Sequence, residues 1–110
     1  MNYRGLRVGE LIRNELGKMI LREFEFPGVL VTITDVAVDR KLEGARVEVS
    51  ILPSEKSDET IRVLKKNAGL LQHLLLKKMN IKPMPRIRFE IDHGLENAAR
   101  VEKIILEENT

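Results

Sequence analysis

A helical stretch interrupted by a glycine is the feature that most constrains the fold of this 110-residue chain. In the segment 58–79, apolar residues recur at the spacing of one helix face: Ile61, Leu64, Ala68, Leu71 and Leu75. An unbroken helix over this range would be about 33 Å long, whereas a domain of this size has a radius of gyration of about 13 Å. Gly69 lies inside the stretch, and glycine costs a helix about 1 kcal/mol relative to alanine. We therefore expect a kink at Gly69 that lets two shorter helices pack on one sheet.

Three other segments have the patterns of β-strands. The run VLVTITDVAV (residues 29–38) is rich in β-branched residues, and ARVEVSIL (residues 45–52) and RIRFEI (residues 86–91) alternate between apolar and polar residues. Only the short connection DRKLEG separates the first two segments. They are therefore expected to pair as an antiparallel hairpin.

Helical patterns flank these strands. An amphipathic helix is predicted from Tyr3 to Glu23, before Pro27 and Gly28, and a closing helix is predicted after Gly94. Ser57 is expected to cap the middle helical region, which the prolines of KPMP end. The order α-β-β-α-α-β-α predicts an α+β fold in one domain, residues 1–110, with helices packed on one face of a small sheet.

The charge of the chain is unevenly distributed, although its formal net charge is only +2. Residues 62–89 contain eight basic residues and no carboxylate: Arg62, Lys65, Lys66, Lys77, Lys78, Lys82, Arg86 and Arg88. Residues 23–61 and 90–110 are acidic on balance. A continuous basic block in a nearly neutral chain indicates a surface that faces a polyanion, unless these side chains are solvated and point in many directions.

The expected kink has a chemical consequence. A break in the hydrogen-bond ladder leaves backbone N–H groups at the start of the second helix, where the helix dipole also favours a phosphate. Glycine permits a close approach of another backbone, and lysines on both sides add attraction. The motif predicts contact with a nucleic-acid backbone.

The sequence argues against several other functions. It has no cysteine, which excludes disulfides and thiolate chemistry, and its two histidines, His73 and His93, are a poor metal signature. The DHG triplet that begins at Asp92 is interpreted as a turn and not as a catalytic acid–base pair, since no nucleophile or paired carboxylate accompanies it. No cofactor, metal or enzymatic activity is predicted. Without a membrane span or a signal-peptide pattern, we expect a cytoplasmic protein.

The order of strand, helix, interrupted helix and strand resembles the K-homology (KH) RNA-binding fold, and the preceding helix and strand resemble its type II version. That version carries a Gly-x-x-Gly loop between the helices, but this chain has KNAG there. The whole chain resembles the ribosome-binding factor A family, in which an Ala-x-Gly kink replaces the loop. Here the kink reads Asn67, Ala68 and Gly69, with asparagine in place of the first alanine.

Other parts of the chain match the family in the same order. They are RVGELIRNEL, the hairpin VTITDVAVDRKLEGARVEVSIL and the segment PRIRFEIDHGLENAARVEKII. Lys41 departs from the acidic residue that the family often has before the leucine of the hairpin turn. The resemblance implies a maturation factor that binds the free small (30S) ribosomal subunit, acts near the 5′ end of its rRNA, and supports rRNA processing and growth in the cold.

The resemblance and the basic block together define the candidate RNA-binding residues: Lys65, Lys66, Asn67, Ala68, Gly69, His73, Lys77, Lys78, Arg86 and Arg88. Arg86 and Arg88 are open to a second interpretation as edge-strand charges that discourage aggregation. The arginines of the first helix are a further candidate surface: Arg4, Arg7 and Arg13.

Few aromatic residues are present, so phosphate and shape recognition is favoured over base stacking. The partners expected are the small subunit and its rRNA, bound by a monomer. The alternatives are a generic KH-like RNA-binding protein, or a protein-interaction module whose acidic segments bind a basic ribosomal protein.

Overall fold

Three helices pack on one face of a three-stranded mixed sheet in the computed structural model, which describes residues 3–94. The elements are α1 (Tyr3–Glu23), β1 (Leu30–Val38), β2 (Gly44–Leu52), a short 3-10 turn (Ser54–Lys56), α2 (Ser57–Lys66), α3 (Ala68–Met79) and β3 (Arg86–Ile91). The predicted α+β fold and the order of these six main elements are confirmed. The predicted closing helix lies outside the described residues.

The sheet order is β1-β2-β3. As predicted, β1 and β2 form an antiparallel hairpin, with a register shift between Ile33 and Asp35. β2 and β3 are parallel, and Val47 lies opposite Phe89. The order and the parallel pairing place β2 in the centre.

The hairpin turn is held by one carboxylate. Asp39 accepts hydrogen bonds through Oδ1 from the Glu43 N–H and through Oδ2 from the Gly44 N–H, each at 2.8 Å. Leu42 sits between these groups with φ 59° and is nevertheless buried. A left-handed backbone is costly for a leucine, and burial of its side chain offsets part of that cost.

The core is formed where the alternating strands meet the apolar faces of the helices. Its central residues on the sheet are Val47, Val49 and Phe89, and all are almost fully buried. The apolar face of α1 contributes Val8, Ile12, Leu16, Met19 and Ile20, whereas Leu11 is 42% exposed. The intervening residues of β2, such as Arg46, face away from the helices.

One close contact fixes α1 against the sheet. A Cβ at Gly9 would lie 2.9 Å from the carbonyl oxygen of Val36, which is closer than real Cβ atoms approach another atom. The missing side chain thus lets the backbone of α1 touch the backbone of β1 directly.

The start of the middle helical region differs from the prediction. Ser57 is the first residue of α2 and is buried, and no side-chain hydrogen bond caps this helix. The 3-10 turn Ser54–Lys56 leads into it instead. The two acidic residues Asp58 and Glu59 lie in the first turn of α2 as predicted, where they complement the helix dipole.

Candidate nucleic-acid interface

The middle helical region is divided at Asn67, between α2 and α3. Asn67 has φ −101° and ψ 11°, which departs from the helical values near −63° and −42°. Its side-chain Nδ2 donates to the Val63 carbonyl at 2.8 Å, and its carbonyl accepts the Leu71 N–H at 3.0 Å. The asparagine that departs from the Ala-x-Gly pattern is therefore a structural element of the break, because its side chain binds a carbonyl at the end of α2.

The predicted position of the break is corrected by two residues. Gly69 is the second residue of α3 and has helical structure, so the kink expected there lies at Asn67. A Cβ built on Gly69 would meet nothing within 4 Å, and the residue is exposed. Gly69 thus presents bare backbone to the solvent in the first turn of α3, where helical N–H groups have no acceptor within their own helix.

The four candidate lysines lie in the last turns of the two helices. Lys65 and Lys66 end α2, and Lys77 and Lys78 are in the last turn of α3. The second pair begins about 15 Å along α3 from the break at Asn67, at 1.5 Å per residue. Cations in these positions also complement the negative ends of the helix dipoles. The structure therefore places only Lys65 and Lys66 beside Asn67.

All four lysines are exposed. Within residues 3–94, none of them forms an ion pair with a carboxylate, whereas Lys18 pairs with Glu15 and Lys56 pairs with Glu59. Charges without a partner in the folded chain keep their full attraction for an external anion. The α2–α3 surface, defined by Lys65, Lys66, Lys77 and Lys78, is therefore available to a polyanion.

Arg86 and Arg88 lie on a different surface. Both are exposed on β3, and they alternate with Ile87 and Phe89, which face the helices. Arg88 pairs with Glu90 at 3.5 Å, and Arg46 on β2 pairs with the same residue at 3.7 Å. The three arginines line an open cleft of about 650 Å³ on the side of the sheet that α1–α3 leave uncovered. The structure thus does not bring Arg86 and Arg88 together with the lysines.

The solvent side of α3 is partly apolar. Leu70 is 49% exposed and Leu76 is 44% exposed, whereas Leu71 and Leu75 are fully buried. Within the described residues, Leu70 and Leu76 face water. His73 is exposed between them. The remaining candidate, Ala68, is half-buried and packs against the core.

Sequence reasoning missed Gln72, which ties α3 to β3. Its Nε2 donates to the Pro85 carbonyl at 2.8 Å, and its Oε1 accepts the Ile87 N–H at 2.8 Å. The signal in the sequence was a single glutamine beside the buried Leu71, in a helix that had to pack near a strand edge in need of partners.

The candidate arginines of α1 lie on the surface. Arg4, Arg7 and Arg13 are all exposed.

The DHG triplet is held by the carboxylate of Asp92. The Gly94 N–H donates to Asp92 Oδ1 at 2.8 Å. This bond, a hydrogen bond from Thr34 and the nearby charge of His93 lower the pKa of Asp92 below its ordinary value. The carboxylate thus stabilises the turn after β3, in agreement with the sequence interpretation of this triplet.

The fold and this surface together define the class: a small α+β protein whose sheet carries a divided helix pair with an exposed basic surface, on which no lysine pairs with a carboxylate within residues 3–94. No helix among the described residues is long and apolar enough to cross a membrane. Residues 4–105 match the family model described as ribosome-binding factor A. The chain belongs to the ribosome-binding factor A family.

Individual relatives agree with this assignment. The ribosome-binding factor A of Caldanaerobacter subterraneus is 38% identical over 99% of this chain and 92% of its own length. The solution NMR structure of a Thermotoga maritima protein, proposed to be a ribosome binding factor A, is 27% identical and superposes with a TM-score of 0.69 over 86% of this chain and 92% of that chain. A Thermus thermophilus ribosome binding factor A, fitted as a homology model into a cryo-EM map of its 30S complex, shares the fold. It has 19% identity and a TM-score of 0.63, over 76% of this chain and 89% of that chain.

Proposed function

We propose that this protein is a maturation factor that binds the free 30S ribosomal subunit and assists late assembly and 5′-end processing of 16S rRNA. Membership of the ribosome-binding factor A family supports this role. The described 30S complex of the Thermus thermophilus relative is consistent with it. Residues 1–110 act as one cytoplasmic, monomeric, KH-like RNA-binding domain without a catalytic step.

The observation that carries the RNA contact is the α2–α3 surface. Its four exposed lysines have no carboxylate partner within the described residues, and no carboxylate occurs in the sequence from Arg62 to Phe89. Each lysine that contacts a phosphate releases a condensed counterion, so binding is driven by charge and weakens steeply with salt. Lys65 and Lys66 act beside the break at Asn67, and Lys77 and Lys78 reach phosphates further along the same backbone.

The remaining candidates have distinct roles in this proposal. Gly69 and Ala68 let an RNA backbone approach the first turn of α3, and Asn67 holds the break open. His73 contacts RNA from the solvent side of α3. Arg86 and Arg88 form a separate contact on the uncovered side of the sheet, so their contribution is independent of the lysines.

Sedimentation with purified 30S subunits tests the proposal. Replacement of Lys65, Lys66, Lys77 and Lys78 by alanine should lower affinity by at least tenfold and flatten the dependence on salt. The matched control replaces four exposed cations elsewhere, Lys18, Arg22, Lys41 and Lys56, and should retain most of the binding. Unchanged binding by a folded lysine variant would exclude the α2–α3 surface and favour a contact through the acidic segments to a basic ribosomal protein.

A second experiment locates the site on the RNA. Crosslinking on purified 30S subunits, followed by mapping of the crosslinked nucleotides, should place the protein near the 5′ end of 16S rRNA. Crosslinks confined to distant regions would contradict the processing role.

A further inference from the structure

The free edge of β1 borders a groove against α1. The sheet order β1-β2-β3 leaves this edge without a neighbouring strand among residues 3–94. The groove lies between residues 30–33, at the start of β1, and one stripe of α1 that includes Arg13, Gly17 and Leu21. This α1–β1 groove has a volume of about 440 Å³.

The backbone of β1 directs unpaired hydrogen-bonding groups towards the groove. The Val49 carbonyl accepts the Asp92 N–H at 2.8 Å, so the peptide groups of Val49 point to β3. Ile33 is the partner of Val49 in the hairpin, and opposite residues of an antiparallel pair direct their groups either towards each other or both away. The N–H and C=O of Ile33 therefore point to the free edge, as do those of Val31 two residues before. Within residues 3–94, no backbone group bonds to either residue at this edge.

This part of the edge lacks the usual protection against strand pairing. Natural edge strands are blunted by charged side chains, by proline or by β-bulges. Residues 30–33 contain no charge and no proline, and the register of β1 shifts only after Ile33. Further along the strand α1 itself covers the edge, because Gly9 packs against the Val36 carbonyl. The accessible stretch is therefore short and confined to the α1–β1 groove.

The side chains around the groove are apolar and basic. Leu21 is 82% exposed and Leu30 is 61% exposed. A Cβ at Gly17 would meet nothing within 4 Å, so no side chain fills the space above α1 at this point. Arg13 forms no ion pair within residues 3–94, and none of the described residues that line the groove is acidic. A complementary ligand carries carboxylates beside apolar groups.

We infer that the α1–β1 groove binds an extended, acidic segment of a partner protein, which adds to β1 as a further strand. Pairs of N–H and C=O groups that recur every second residue, about 6.8 Å along a strand, match another peptide backbone, whereas a nucleic acid offers no such ladder. On the α1 side, a carboxylate of the added strand would meet Arg13. An apolar side chain two residues further would lie over Gly17, because four helix residues and two strand residues both span about 6–7 Å.

Two occupants from this chain fit the groove less well. A second copy would pair through the same patch on both molecules, which brings the unpaired Arg13 of each copy into one interface. The only charged residue that β1 itself supplies is Asp35, which lies after the groove. The apolar residues of segment 95–110 recur at helical spacing, which is typical of a helix and not of an added strand.

Binding of two labelled octapeptides, followed by fluorescence anisotropy, tests the inference. The peptide EEVVEEVV presents a carboxylate and a valine two residues apart on each face of a strand, and KKVVKKVV is its basic counterpart. The acidic peptide should bind about tenfold more tightly, because the basic one places like charges beside Arg13. Gly17→Gln, whose side chain would fill the groove, should weaken binding of the acidic peptide by about tenfold.

The backbone contact is tested at Val31. Val31→Pro removes an N–H that points to the free edge, a position where edge strands tolerate proline. This variant should bind EEVVEEVV at least about tenfold more weakly, whereas the control Val31→Ala keeps the N–H and should retain binding. Amide hydrogen exchange of the wild type should slow at Val31 and Ile33 when the peptide binds. The exchange measurement needs no variant, so it decides the outcome even if Val31→Pro does not fold.

Three results would overturn the inference. The first is equal binding of the two peptides, and the second is peptide binding that leaves exchange at Val31 and Ile33 unchanged. The third is slow exchange at these amides in the free protein. Slow exchange at every concentration would mean that this chain covers its own edge, and exchange that slows with concentration would mean that a second copy does.

The inference goes beyond the proposed RNA contact and fails or stands separately from it. The four-lysine variant should bind EEVVEEVV as the wild type does, because its substitutions lie on α2 and α3. Loss of the peptide by this variant would mean that the acidic probe binds the α2–α3 surface, and the inference then fails. Unchanged 30S binding by the same variant overturns the RNA surface and leaves the α1–β1 groove unaffected.

Discussion

The side-chain amide of Gln72 pairs with the backbone at Ile87 as the edge of a neighbouring strand would. It accepts the Ile87 N–H and donates to the Pro85 carbonyl, both at 2.8 Å. The outer edge of β3 is thus satisfied at this point by a helix instead of a fourth strand. The same two bonds fix the position of α3, and therefore of Lys77 and Lys78 on the α2–α3 surface, relative to the sheet.

Replacement of Gln72 by leucine should lower the free energy of unfolding by about 2 kcal/mol, because two partly buried backbone groups lose their partners. Urea denaturation measures the change. His73→Ala, at the neighbouring exposed position, serves as the control and should stay within about 0.5 kcal/mol of the wild type. A Gln72→Leu variant as stable as the wild type would mean that water replaces both bonds at no cost.

Two glycine-to-alanine substitutions should have opposite effects. Gly9→Ala should destabilise the protein by about 1–3 kcal/mol, since the new methyl group would overlap the Val36 carbonyl. Gly69→Ala should stabilise it by up to about 1 kcal/mol, since Gly69 is helical and has open space around it. Thermal unfolding of both variants checks the signs.

The effect of Gly69→Ala on 30S binding addresses a separate question. If an RNA backbone approaches the bare backbone at this position, the stabilised variant should bind more weakly than the wild type. Intact binding by the stabilised variant would show that RNA does not come close to Gly69.

The break between α2 and α3 should depend on Asn67. Replacing it by alanine removes the bond from Nδ2 to the Val63 carbonyl and should cost about 1 kcal/mol of stability. Asn67→Asp is a close match in size that removes the donor and should show a similar loss. Amide hydrogen exchange at Leu71, whose N–H binds the Asn67 carbonyl, should accelerate in both variants. Unaltered exchange would show that the side chain does not maintain the break.

Acid should remove the contribution of Asp92. Its pKa is lowered in the folded protein, first by the hydrogen bond from the Gly94 N–H. The ionised form therefore stabilises the fold above the pKa of the unfolded chain, and this contribution is lost as the pH falls through the lower folded-state pKa. Asp92→Ala should thus be less stable than the wild type at neutral pH, and the gap should narrow in acid. A gap that is constant with pH, as expected for a packing effect, would contradict this assignment; Glu10→Ala controls for the change in net charge.

The periodicities of the sequence predicted most of the elements because burial on one face leaves a direct pattern in the residues. The alternation of Ala45, Val47, Val49 and Ile51 is a clear example, and all four are buried. The break was placed at Gly69 because glycine lowers helix propensity. The chain instead turns at Asn67, where a side-chain hydrogen bond to Val63 replaces regular helical geometry. Local propensity does not report such a bond.

Properties that are set by the packing of distant segments could not be predicted from the sequence. The parallel pairing that puts Val47 opposite Phe89 left no pattern that distinguishes it from antiparallel pairing. The position of Arg86 and Arg88 on the side of the sheet away from the helices, which separates them from the lysines, left no pattern in the sequence either. The candidate site was therefore predicted as a set of residue types, and the structure divides that set between two surfaces.

The parallel pairing of β2 and β3 has a consequence for the α2–α3 surface. Parallel neighbours cannot be joined by a tight turn, so the chain must travel back along the sheet in a crossover connection, which here is residues 53–85. The divided helix pair is that connection. The segment proposed to bind RNA is thus one that the topology of the sheet already requires, and a deletion that shortened it would remove the proposed RNA contact and the pairing of the third strand together.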